Sequence, residues 1–159
     1  MLSEVTTTLS CRPASNFTFA EGVPMEPGRR PRVLVIDDEE RVRMLFADFV
    51  AAIGYEADAV GDPQTGLARL EAGGYDLVLT DLVMPGPLDG LGVAEAVRAR
   101  TPELPVIIIS AVVDAVQADE IRGRGFVFLE KPIQFATFRA ALERVLGPVT
   151  AAKQPARAS

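Results

Sequence analysis

Several reactive residue types are scarce or absent in this chain of 159 residues. It contains no histidine, which excludes a histidine general base, a Ser-His or Cys-His nucleophile and a zinc site with histidine ligands. Cys11 is the only cysteine, so an intrachain disulfide and a thiolate metal cluster are excluded as well.

Basic charge and long apolar segments are also limited. The 16 Lys and Arg residues stand against 22 Asp and Glu residues, and the net charge of −6 argues against a domain that binds nucleic acid through phosphate contacts. No run reaches the roughly 18–20 apolar residues of a membrane span. The N-terminus lacks the basic start and apolar run of a secretory signal. We therefore expect no nucleic-acid or membrane partner and a cytoplasmic location.

The composition divides the chain into three parts. Residues 1–31 contain repeated Pro and Gly without helical or strand periodicity, which predicts a flexible N-terminal tail. Residues 32–147 are predicted to form one domain, and the Ala-rich residues 148–159 a flexible C-terminal tail. Because so few residues follow the last predicted helix, we expect a stand-alone, single-domain protein.

Apolar runs alternate with helical patterns along residues 32–147. Runs such as residues 33–36 and 106–109 are apolar without alternation, which is typical of parallel strands covered on both faces. Helical spacing follows the first run, at Val42, Leu45, Phe46, Phe49 and Ile53. The pattern predicts five strands and five helices in a doubly wound α/β fold, with a weakly marked fourth helix around residues 114–122.

Polar residues follow four of the five predicted strands. Asp37 and Asp38 follow the first strand, Asp81 the third, Ser110 the fourth and Lys131 the fifth. The carboxyl ends of parallel strands share one edge of the sheet, so these side chains are expected to converge in the crevice there.

The acidic residues of this set favour a hard cation. Close carboxylates repel one another unless a cation neutralises them, and Mg²⁺ prefers oxygen ligands. Asp38 and Asp81 are the best candidates for direct ligands, with the backbone carbonyl of Val83 as a third and Asp37 orienting a water molecule. A carboxylate can also form an acyl phosphate, and the central Asp81 is the favoured nucleophile.

The assembled motifs are Asp37-Asp38, Asp81-Leu-Val-Met84-Pro85, Ser110-Ala111 and Lys131-Pro132. They resemble the receiver domain of two-component response regulators over about residues 32–147, and specifically a stand-alone, chemotaxis-type regulator. The resemblance implies a flavodoxin-like (βα)5 fold with strand order 2-1-3-4-5. It also implies that Asp81 accepts a phosphoryl group from a histidine kinase or phosphotransfer protein, with Mg²⁺ held near Asp37 and Asp38 and with Ser110 and Lys131 contacting the phosphoryl group.

The resemblance further implies a conformational switch. Phe128 matches the switch aromatic of the family, and the bond from Lys131 to Pro132 matches one that is often cis. We expect Ser110 and Phe128 to point outward before phosphorylation and inward after it. The surface of the fourth helix, fifth strand and fifth helix would then change for a downstream protein target.

Two positions bear on the lifetime of the phosphoryl group. Val83 and Val112 each lie two residues beyond a site residue, where polar side chains in the family help water to attack the acyl phosphate. Valines there predict slow dephosphorylation. The loop from Met84 to Gly90 is one residue longer than is usual in the family, which could alter the rim that meets a kinase.

Other functions stay open at this point. The chain could be a phosphorelay intermediate, or a binding module of receiver fold that acts without phosphorylation. A phosphohydrolase is disfavoured because such enzymes carry Asp-x-Asp after the first strand, whereas Asp37 and Asp38 are adjacent. We expect no enzyme activity beyond phosphorylation and dephosphorylation of the chain itself. A homodimer through the fourth and fifth helices is compatible with the resemblance.

Overall fold

The computed structural model describes residues 28–111 and 114–148. Most of the two predicted tails, as well as Val112, lies outside this range, so those expectations stay predictions. Within the predicted N-terminal tail, Arg29 forms an ion pair of 2.8 Å with Asp76, and the carbonyl of Pro31 accepts a hydrogen bond from the Glu56 amide.

The described residues form five strands and five helices in strict alternation, as predicted. They are β1 (Arg32–Ile36), α1 (Glu40–Ile53), β2 (Glu56–Val60), α2 (Pro63–Ala72), β3 (Leu77–Asp81), α3 (Gly90–Arg100), β4 (Val106–Ser110), α4 (Ala115–Gly123), β5 (Val127–Glu130) and α5 (Phe135–Leu146). None of the described helices is long and apolar enough to cross a lipid bilayer.

The strands form one parallel sheet in the order β2-β1-β3-β4-β5. One face of the sheet, with Leu34 and Ile36 of β1, packs against α2, α3 and α4. The other face, with Val33 and Val35, packs against α1 and α5. The predicted flavodoxin-like, doubly wound fold is therefore confirmed, and the continuous apolar runs are explained by burial on both faces.

Local sequence signals determine where the helices begin and end. The side chains of Asp62, Asp89 and Asp114 each accept a hydrogen bond of 2.7–2.8 Å from the backbone N–H three residues later, and so begin α2, α3 and α4. Gly54 ends α1 with a φ of 112°, a conformation that favours glycine.

The buried face of α1 differs from the prediction at one residue. Helical spacing predicts that Leu45 is on the buried face, but its side chain is 47% exposed. Phe46, Val50 and Ile53 fill the space against the sheet instead. Spacing alone places Leu45 near the margin of the apolar stripe, and the sheet covers only the central part of that stripe.

A cluster of ion pairs surrounds Asp58 on β2. Arg32 Nη2 lies 2.7 Å from Asp58 Oδ2, Arg69 Nη1 lies 3.7 Å from the same oxygen, and the Tyr75 hydroxyl donates a hydrogen bond to it. The hydrogen bond from Tyr75, with the nearby arginines, lowers the pKa of Asp58 below its ordinary value. The ionised carboxylate is therefore favoured in the folded protein.

We predict that Asp58→Asn lowers the thermal stability at neutral pH and weakens its dependence on acid pH. Since the pKa of Asp58 is lower in the folded than in the unfolded chain, its stabilisation is present above about pH 4 and is lost as the pH falls through the folded value. Melting temperatures of both proteins between pH 3 and pH 7 test this. Parallel curves with no change in slope below about pH 4 would contradict it.

Candidate functional site

The carboxyl ends of β1 and β3 bring three acidic residues together. The two strands are neighbours with Ile36 opposite Thr80, so the residues that follow lie side by side. Carboxylate oxygens of Asp37, Asp38 and Asp81 lie within 4.8 Å of one another. Asp37 and Asp81 are buried, while Asp38 is exposed. The convergence that the sequence predicted is thus present.

Lys131 enters the same pocket from the end of β5. Its Nζ donates a hydrogen bond of 3.1 Å to Asp81 Oδ1 and lies 3.5 Å from Asp37 Oδ2. Its backbone N–H donates to the carbonyl of Ser110 on β4, at 2.9 Å. The peptide bond from Lys131 to Pro132 is cis, as the resemblance implied.

Burial and the nearby positive charge have opposite effects on the pKa of the two buried carboxyls, Asp37 and Asp81. Burial raises the pKa of Asp37 and of Asp81 above the ordinary value, and the Lys131 ammonium partly offsets this effect. Among the described residues, the Lys131 ammonium faces three carboxyls, so the pocket carries an excess of negative charge. An all-oxygen set with one exposed member fits a hard divalent cation such as Mg²⁺.

The remaining predicted site residues lie around this pocket. Ser110 ends β4 and is buried, whereas Ala111 after it is exposed. Val83 lies in the loop after β3 with its side chain 61% exposed. The roles assigned to the Ser110 hydroxyl and to the Val83 carbonyl stay predictions.

The arrangement of the switch residues differs from the one expected before phosphorylation. Ser110 and Phe128 were expected to point outward, but both are buried, with Phe128 only 7% exposed. The Phe128 ring belongs to the core cluster on the α4 side of the sheet, and the Arg122 guanidinium covers it at 5.4 Å from the ring centroid.

A groove of about 560 Å³ lies on the surface formed by α4, β5 and α5. Apolar side chains such as Val127 and Val145 line it, with Arg122 and Arg144 contributing positive charge. Along α4, the described residues that are buried are Ala118 and Ile121 alone, so little apolar packing holds this helix to the sheet.

Two neighbours of the site were missed by the sequence analysis. Arg43 on α1 donates a hydrogen bond of 2.9 Å to the backbone carbonyl of Asp37. Gly90, the first residue of α3, lies so close to the end of β3 that a Cβ atom on it would be 2.1 Å from the carbonyl oxygen of Asp81. The sequence offers no signal that separates Arg43 from Arg41, which lies in the same turn and is exposed.

Comparisons with known proteins agree with the fold. Residues 33–143 match the family model for the response regulator receiver domain. The chain is 31% identical over 121 residues to the transcriptional regulatory protein RprY of Bacteroides fragilis, covering 73% of this chain and 51% of RprY. It is 30% identical over 148 residues to the transcriptional regulatory protein TcrA of Mycobacterium tuberculosis. That match covers 82% of this chain and 56% of TcrA. The chain thus spans about half the length of these two curated relatives.

Solved structures that resemble this chain are also receiver domains or response regulators. The receiver domain of NtrX from Brucella abortus is 32% identical with a TM-score of 0.67, covering 72% of this chain and 97% of that domain. The response regulator protein TrrA from Thermotoga maritima, solved in complex with Mg(2+)-BeF, is 27% identical with a TM-score of 0.66. The match covers 72% of this chain and 98% of TrrA.

Fold, pocket and comparisons together define a receiver domain. This chain belongs to the response regulator receiver domain family, whose members serve phosphorylation-based two-component signalling. Receiver domains bind Mg²⁺ at an acidic pocket, and the Asp cluster of this chain has the matching composition.

Proposed function

We propose that this chain is a phosphorylation-dependent signalling switch in which Asp81 accepts a phosphoryl group from a histidine kinase or phosphotransfer protein. The observation that carries the proposal is the position of Asp81. Its carboxylate accepts a hydrogen bond from Lys131 and lies within 4.8 Å of the two other acidic residues.

The transfer requires an oxygen nucleophile and compensation of negative charge. An Oδ atom of Asp81 attacks the phosphorus of a phosphohistidine; the new O–P bond forms as the P–N bond breaks, and the donor imidazole keeps the electron pair. Asp37, Asp38 and Asp81, with the Val83 carbonyl, would hold Mg²⁺, which when bound supplies positive charge beside the phosphoryl oxygens. Lys131 contacts one of these oxygens and remains paired with Asp37.

The output surface is the face formed by α4, β5 and α5. The Ser110 hydroxyl donates a hydrogen bond to a phosphoryl oxygen, and the packing around Phe128 adjusts behind it. Because α4 buries few side chains, a change at these two residues shifts the population between two packings of this face. The groove beside Val127 gives a downstream protein target, or a second copy of the chain, a surface that reports the change.

In this account the chain acts in the cytoplasm and catalyses only its own phosphorylation and dephosphorylation. A phosphorelay intermediate would use the same site and differ only in passing the phosphoryl group onward. These 159 residues contain no histidine, so the next acceptor histidine would lie outside them.

The test is incubation with acetyl phosphate, with and without Mg²⁺, followed by intact mass measurement. We expect the gain of one phosphoryl group in the presence of Mg²⁺ and none with a chelator. No gain with Mg²⁺ in folded protein, from acetyl phosphate or from phosphorylated histidine kinases, would favour a binding module that acts without phosphorylation.

A further prediction concerns the lifetime of the phosphoryl group. The exposed Val83 offers no hydrogen bond to an attacking water, so we expect the isolated phosphoprotein to lose its phosphoryl group slowly. Val83→Asn should shorten the lifetime several-fold, because an amide can orient water. Val116→Asn, at an exposed valine on α4, is the matched control and should leave the lifetime unchanged. Equal lifetimes for wild type and Val83→Asn would contradict this prediction.

A further inference from the structure

Arg43 makes a contact that the chemistry of its helix does not explain. It lies in the first turn of α1, where the helix dipole disfavours a positive charge. Its Nη1 nevertheless donates a hydrogen bond of 2.9 Å to the backbone carbonyl of Asp37, and its side chain is partly buried. Arg41, in the same turn, is exposed and has no such contact among those of the described residues.

The guanidinium of Arg43 spans two loops at the edge of the sheet. On one side it holds the main chain of Asp37, at the start of the loop that carries Asp38. On the other side it packs against Gly61, the residue after β2: a Cβ atom on Gly61 would lie 3.0 Å from Arg43 Nη1. The two loops are also joined directly, since the Asp37 amide donates to the Val60 carbonyl at 3.2 Å.

Two other hydrogen bonds also restrain the loop that presents the two aspartates, and one of them is the bond from the Asp37 amide to the Val60 carbonyl. The Asp37 side chain accepts a hydrogen bond of 2.9 Å from the Glu39 amide, and Glu39 begins α1 without a capping bond from its own side chain. The contact with Arg43 is the third hydrogen bond at Asp37 among the described residues, and it is the one that restrains the Asp37 backbone carbonyl from a side chain of α1.

We propose that Arg43 is a positioning residue for the cation site, and that it acts by holding the Asp37–Asp38 main chain against the loop that begins at Gly61. The proposal rests on the proposed function, because it assumes that the acidic pocket binds Mg²⁺. Residues that orient ligands from outside the first coordination sphere typically change metal affinity by about 10- to 100-fold when they are removed.

Charge and positioning predict opposite effects, which makes the proposal testable. A nearby positive charge repels Mg²⁺, so if only the charge of Arg43 mattered, Arg43→Ala would tighten Mg²⁺ binding. If Arg43 positions the loop, Arg43→Ala weakens Mg²⁺ binding, by about tenfold or more.

The experiment is a Mg²⁺ titration by isothermal calorimetry of the full chain and four variants. The variants are Arg43→Ala, Gly61→Ala, the double variant, and Arg41→Ala as the matched control for losing an arginine from the same turn. A methyl group on Gly61 would push the guanidinium by a few tenths of an ångström without touching either carboxylate, so Gly61→Ala should weaken binding in the same direction but by less than Arg43→Ala. Because both single changes act through one contact, the double variant should be no weaker than Arg43→Ala alone.

Amide hydrogen exchange at residues 37–39 supplies a second readout, independent of bound metal. It should accelerate in Arg43→Ala and in Gly61→Ala but not in Arg41→Ala. Wild-type or tighter Mg²⁺ affinity in Arg43→Ala, or additive losses in the double variant, would overturn the role of Arg43 while leaving the proposed function intact. Absence of Mg²⁺ binding in the wild type would instead overturn both.

Discussion

Asp81→Asn is expected to abolish phosphoryl uptake while leaving the fold intact. The amide removes the nucleophilic carboxylate oxygen, and neither Asp37 nor the exposed Asp38 has the direct 3.1 Å hydrogen bond to the Lys131 ammonium that Asp81 has. Intact mass after incubation with acetyl phosphate and Mg²⁺ should therefore show no phosphorylated fraction in the variant. Full labelling of the variant would contradict the assignment.

The melting temperature of Asp81→Asn shows whether a loss of phosphorylation comes from the missing nucleophile or from unfolding. Burial raises the pKa of Asp81 in the folded protein, so stability falls as the pH rises from about 4, the unfolded value, through the folded value. Asparagine removes this cost, and Asp81→Asn should melt at or above the wild-type temperature at neutral pH. Asp89→Asn is the matched control: it removes an exposed carboxylate from the same loop, keeps a helix-capping residue, and should be phosphorylated normally.

Gly90→Ala is expected to destabilise the folded protein strongly. A Cβ at position 90 would lie 2.1 Å from the Asp81 carbonyl oxygen and 2.7 Å from the Leu82 Cα, and both atoms belong to the backbone. Neither can turn aside as a side chain can, so the end of β3 or the start of α3 must move. We expect a loss of about 3 kcal/mol or more, which lowers the melting temperature by roughly 10 °C or more.

The displacement in Gly90→Ala should also impair phosphorylation of the fraction that remains folded, because the strained atoms adjoin Asp81. Gly123→Ala provides the control, since nothing lies within 4 Å of a Cβ at this position in α4. It should be neutral or stabilise the protein by up to about 1 kcal/mol. A melting temperature of Gly90→Ala equal to that of Gly123→Ala would show that the backbone around residue 90 relaxes without cost.

Much of the site was predictable because parallel strands give a simple geometric rule. The residue after each buried apolar run lies at the same edge of the sheet, so Asp37, Asp81 and Lys131 could be brought together before any distance was known. The helix ends at Asp62 and Gly54 are explained by capping chemistry, which depends on only a few neighbouring residues.

The features that the sequence did not reveal depend on contacts between distant elements. Exposure of Leu45 depends on how far the sheet extends under α1, and burial of Phe128 depends on its packing in the core cluster on the α4 side of the sheet. The contact of Arg43 with Asp37 and the crowding at Gly90 arise from loops that meet only in three dimensions. Periodicity and spacing contain no information on these distances.

The most direct test of the account is the location of the phosphoryl group on the wild-type chain. Borohydride reduces an aspartyl phosphate to homoserine, so reduction after phosphorylation with acetyl phosphate and Mg²⁺ marks the acceptor residue for peptide mass spectrometry. We expect homoserine at position 81 and at no other aspartate. Homoserine at position 37, 38 or 89, with an unmodified residue at 81, would contradict it.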